Sequence, residues 1–81
     1  MRAVISWRMD MRKLVGRNFA RLRREKGVTQ EDLAVRSGFS QQYLSGLEHG
    51  KRNPTIVTLY LLAQALDVDH VDLVRSDSQD S

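Results

Sequence analysis

Gln41 and Gln42 stand side by side directly after Ser40, a residue type suited to starting a helix. A side-chain amide carries one acceptor oxygen and two N–H donors. It can accept from adenine N6 and donate to adenine N7 at once, so paired glutamines at the start of a helix are fit to read base edges. Ser45, Gly46 and His49 fall mainly on the same side of that helix, and Leu44 and Leu47 on the other. Gln30 follows Thr29 as Gln41 follows Ser40. The first turn of a helix offers free backbone N–H groups and partial positive charge, which suits phosphate. Gln30 therefore reads as a phosphate clamp, although glutamine is also simply a good helix former. Lys51, Arg52 and Asn53 lie in the stretch HGKRNPT, which Gly50 and Pro54 mark as a loop. Other chemistries lack their residues. There is no cysteine, so no disulfide, thiolate metal site or cysteine nucleophile is expected. His49 and His70 have no metal-ligand spacing, and no nucleophile–base pair or phosphate-cradling glycine loop is present. Neither an enzyme nor a cofactor is expected.

Short helices must position these side chains. Apolar spacing predicts a first helix from about Arg12 to Lys26, with Val15, Phe19 and Leu22 inward and Lys13, Arg17, Arg21 and Arg24 outward. Gly27 ends it. Thr29 caps a second helix, Gln30 to about Ser37, with Leu33 and Ala34 inward and Asp32 in its first turn. Gly38 supplies the turn, and Phe39 is expected to plug the corner. Ser40 caps the third helix, about Gln41 to His49, which Gly50 ends. Pro54 forbids helix before it, and Thr55 caps a fourth helix, Ile56 to Leu66. That helix is apolar nearly all round, which predicts burial on most faces. Asp69 caps a fifth, short helix bearing Val71, Leu73 and Val74. Residues 1–11 read as an arm, residues 12–76 as the one domain, and residues 77–81 as a polar tail. In the arm, Ile5, Trp7, Met9 and Met11 alternate with Ser6, Arg8 and Asp10. The pattern fits a strand pairing with a partner chain, or a tail ahead of a later initiator.

The chain has 81 residues and a formal net charge of +3. A domain this small has a thin core, and oligomerisation is a common remedy. Charge is uneven along it. Residues 1–26 hold nine Lys/Arg against Asp10 and Glu25, a net of +7; residues 67–81 hold five Asp against Arg75, a net of −4. One basic pole implies a polyanionic partner, with nucleic acid ahead of an anionic membrane surface. No apolar run spans a bilayer, and the first residues are too short and charged for a signal peptide. A cytoplasmic protein is expected, which the absence of cysteine fits.

Three stretches carry a resemblance when taken in order: LRREKGVTQEDLA at residues 22–34, LSGLEHGKRNPT at 44–55, and LAQALDV at 62–68. Residues 15–74 resemble a helix-turn-helix domain of the lambda-repressor and Cro-like, or XRE, family. The resemblance implies an all-α fold of five helices with the third in the major groove of double-stranded DNA. It implies base contacts from Gln41, Gln42, Ser45 and Gly46, and phosphate contacts from Gln30, Ser40, Tyr43, Lys51, Arg52 and Asn53. It also implies a salt bridge between Arg23 and Glu48 that orients the reading helix. Gly46 departs from the common pattern by offering no side chain, at about 1 kcal/mol of helix propensity relative to Ala; His49 departs too, with no assigned role. YLSGLE and GKRNPT on so short a chain are similar to controller proteins of restriction–modification systems and to small repressors.

The function expected is sequence-specific transcriptional regulation by a dimer, because operators of this motif are usually two half-sites read by a two-fold dimer. Leu62, Leu66, Val68, Val71 and Val74 are the expected dimer interface; Tyr60 and Leu61 fit either core or seam. The alternative is an antitoxin-like module in which the same fold neutralises a partner toxin. The chain is too short for a separate effector-binding or peptidase domain.

Overall fold

The computed structural model describes residues 10–76. Five helices follow in order: α1 Met11–Glu25, α2 Gln30–Ser37, α3 Gln41–Glu48, α4 Ile56–Leu66 and α5 Val71–Val74. Ile5, Trp7 and Met9 of the expected arm, and the tail at 77–81, lie outside the described residues. Met11 opens α1 and Asp10 stands before it as its cap, although the sequence pattern assigns both to the arm. The Asp10 carboxylate accepts from the N–H groups of Arg12 and Lys13 and caps the helix. Desolvation would raise its pKa; those two bonds and the charges of Arg12 and Lys13 outweigh it and hold it below the usual carboxylate value.

The starts of α2, α3 and α4 each have their own side-chain cap. Thr29, Ser40 and Thr55 accept from the N–H groups of Asp32, Tyr43 and Thr58 at 3.0, 3.0 and 3.1 Å. Asp69, expected to cap α5, lies one residue too early: His70 holds the cap position without a side-chain bond, and Asp69 accepts from the Val71 N–H at 2.9 Å. Gly38, at φ +81°, makes the turn between α2 and α3, a conformation L side chains resist.

The helices close round Phe19, with Leu33, Leu44, Leu47, Leu62, Leu66 and Leu73 fully buried in the same cluster; Leu14 is fully buried as well. Asn18 is the buried polar side chain. Its amide donates to the carbonyls of Leu73 and Arg75 at 2.9 and 3.0 Å and accepts from Arg21, so it pins α5 to α1 without leaving a polar atom unpaired.

Two expectations about α4 are overturned. The helix is not buried on most faces: Ile56 is 83% exposed and Val57 65%, and Tyr60 and Leu61 are also exposed. A core one layer deep needs only the stripe of Leu62, Ala63 and Leu66. For the same reason Leu62 and Leu66, expected in a dimer seam, are 0% and 1% exposed and serve the core of their own chain. Val68 is half-buried against that core, whereas Val71 and Val74 are exposed. Tyr60 stands edge-on to His70 at 6.1 Å, so the outer face of α4 runs up to the start of α5.

Candidate nucleic-acid interface

α3 is held at both ends. At its start, Ser40 caps and Phe39 stacks on Tyr43 with ring centroids 5.2 Å apart, filling the corner next to the core. At its end, Glu48 takes the Arg23 guanidinium in a two-point contact, Nε to Oε2 at 2.6 Å and Nη2 to Oε1 at 3.2 Å. Arg23 also donates to the Val28 carbonyl at 2.9 Å. Both side chains are largely buried, at 13% and 6% exposure. The hydrogen bond to Glu48 raises the Arg23 pKa against partial desolvation, and the opposite charge adds to the rise. The pair ties α1 to α3 as the resemblance implies.

Gly16 makes a second tie. A Cβ there would lie 2.4 Å from the Leu47 carbonyl oxygen and 2.9 Å from that of Glu48. The backbones of α1 and α3 therefore approach where a side chain has no room. Sequence reasoning assigned Gly16 no role, although glycine inside a helical pattern is itself a signal of close packing. Asn18 was missed too; a lone polar residue between Arg17 and Phe19 gives no sign of facing inward.

With α3 braced, Leu44 and Leu47 are buried, Gln41, Gln42 and His49 are exposed, and Ser45 and Gly46 are half-exposed between them. Gln30 is half-buried and donates to Glu48 Oε1 at 3.0 Å. This uses one of its two amide N–H groups and leaves the other for an outside acceptor. The start of α2 and the end of α3 are thus joined through one carboxylate. His49 approaches the Ser45 carbonyl through Nδ1 at 2.7 Å; a carbonyl only accepts, so Nδ1 carries the proton and covers the end of the helix.

The loop after α3 folds back on it. Gly50 adopts φ +73°, and the Lys51 N–H donates to the Gly46 carbonyl at 2.9 Å. Lys51, Arg52 and Asn53 are exposed. The Arg52 guanidinium lies over the Tyr43 ring, 5.3 Å from its centroid. Desolvation raises the Tyr43 pKa, and the Arg52 charge opposes that rise. Among the described residues no cluster of His, Asp or Glu could hold a metal ion, and no helix is long and apolar enough to cross a membrane.

Residues 19–73 match the helix-turn-helix family model. An HTH-type transcriptional regulator of Sinorhizobium fredii, y4dJ, is 77% identical over 66 residues, which cover 82% of this chain and 86% of that one. The crystal structure of the restriction–modification controller protein C.AhdI from Aeromonas hydrophila shares 39% identity, with a TM-score of 0.73 over 76% of this chain and 94% of that one. The controller protein C.Esp1396I, solved as a tetramer with its natural 35 base-pair operator, is 40% identical, with a TM-score of 0.72 over 78% of this chain and 83% of that one. The braced α2–turn–α3 unit and these likenesses agree: the chain belongs to the helix-turn-helix family of XRE-type transcriptional regulators.

Proposed function

We propose that the protein binds double-stranded DNA at specific sites as a homodimer in the cytoplasm and regulates transcription there, without catalytic activity. The observation that carries this reading is the exposed start of α3, where Gln41 and Gln42 project from a helix tied to α1 by Arg23 and Glu48. A helix held in this way enters the major groove, which is about 12 Å wide. Gln41, Gln42 and Ser45 then read base edges, with Gly46 among them on the same face of α3. Gln30, Ser40, Tyr43, Lys51 and Asn53 contact phosphates and set the register. The operator complex of C.Esp1396I, 40% identical to this chain, supports a DNA partner. The apolar strip on α4 and α5 supports pairing of two copies: Ile56, Val57, Tyr60, Leu61, Val71 and Val74.

Selection of bound fragments from random DNA, followed by footprinting, tests the reading. The expected outcome is a site of two related half-sites about one helical turn apart. Gln41→Ala is expected to cost about 1–3 kcal/mol on that site and little on random DNA. Lys51→Ala is expected to weaken both alike and to flatten the dependence on salt. Recovery of no preferred sequence would end the proposal.

A further inference from the structure

Gly46 leaves a bare patch on the outer face of α3, one turn beyond Gln42, and the patch is covered. A Cβ on Gly46 would stand 2.9 Å from Arg52 Nε, 3.4 Å from its Cγ and 3.6 Å from its Cδ. The stem of Arg52 therefore lies flat on the glycine. Its guanidinium continues over the neighbouring Tyr43 ring, 5.3 Å from the centroid. Two backbone features deliver it there: the left-handed turn at Gly50 and the Lys51 N–H bond to the Gly46 carbonyl at 2.9 Å. The side chain remains exposed to an incoming ligand.

We propose that Arg52 reads a guanine base edge in the major groove, lending α3 the long polar side chain that Gly46 lacks. The proposal rests on α3 being the helix that enters the groove. A guanidinium presents parallel N–H donors that match guanine O6 and N7. The stem on Gly46 and the ring of Tyr43 fix its direction before DNA arrives, so less side-chain freedom is lost on binding. Gly46 then has a positive function. It gives up helix propensity and keeps open the channel in which the arginine lies.

The experiment measures affinity of the full chain for its selected operator and for every single-base variant of each half-site. Four proteins are compared: the natural sequence, Arg52→Ala, Arg52→Lys and Gly46→Ala. The natural protein is expected to lose roughly 5- to 150-fold when one particular guanine is replaced. Arg52→Ala is expected to abolish that discrimination at that position alone, and Arg52→Lys to retain part of it. Gly46→Ala meets a flexible side chain and not backbone, so it is expected to fold normally while displacing Arg52 and losing the same preference. Uniform weakening by Arg52→Ala on all sequences, as a phosphate contact gives, overturns the proposal. So does a Gly46→Ala variant that keeps the guanine preference. If the natural protein selects no sequence at all, the DNA-reading function fails first. If it selects one and Arg52→Ala leaves every base preference intact, only the arginine assignment fails.

Discussion

At the scale of single residues, Glu48 is the hub of the interface. It receives Arg23 from α1 and Gln30 from α2 while standing at the end of α3. Removing it strands a largely buried guanidinium and frees Gln30. Glu48→Ala is expected to lower stability by about 1–3 kcal/mol, measured by urea unfolding. The sign of the pH dependence follows from Arg23, whose folded pKa is raised above its ordinary value by the hydrogen bond to Glu48. A cation with a raised pKa contributes stability fully below its unfolded value and loses it only as pH climbs through the folded one. The difference between Glu48→Ala and the natural protein is therefore expected to stay constant from about pH 7 to pH 10. A loss that shrinks over that interval would assign the stabilisation to some other group.

At the scale of elements, two glycines inside helices work in opposite ways. Both weaken their helices by about 1 kcal/mol relative to alanine. A Cβ on Gly16 meets main-chain carbonyls of α3, the nearer at 2.4 Å, and neither α1 nor α3 can yield without moving the site. Gly16→Ala is expected to destabilise by about 1–3 kcal/mol despite the gain in propensity, with a lower urea midpoint and weaker operator binding. A midpoint equal to or above that of the natural protein would show that the two helices separate freely. At Gly46 the obstacle is the Arg52 side chain, which can swing away. One substitution thus tests how α3 is braced, and the other tests what lies upon it.

At the scale of the whole molecule, the small core leaves one apolar strip uncovered. Buried Leu62 and exposed Leu61 are neighbours on α4 and face opposite fates. Leu62→Ala is expected to cost about 2–5 kcal/mol of stability, as a cavity beneath Phe19 and the leucines would. Leu61→Glu is expected to leave the fold intact and shift sedimentation equilibrium from dimer to monomer, with loss of two-half-site binding. A dimer that persists in Leu61→Glu places the seam elsewhere. Asn18 contributes at this scale as well, because it fixes α5, and with it Val71 and Val74, against α1.

The amino-acid sequence alone determined the helices, the caps of α2, α3 and α4 and the exposed face of α3, because these depend on local periodicity and on side chains within a few residues of one another. Thr29, Ser40 and Thr55 needed no tertiary information, and neither did the outward placing of Gln41 and Gln42. The pairing of Arg23 with Glu48 was legible only through family resemblance, since a contact across 25 residues leaves no local mark. Tertiary structure alone decided which side of α4 is core, why Gly16 is glycine and where Arg52 lies. A helix apolar nearly all round, with only Thr58 and Gln64 polar in α4, carries little periodic signal to orient it. A close approach of two backbones, or an arginine folded back over a glycine, exists only once distant segments have been brought together.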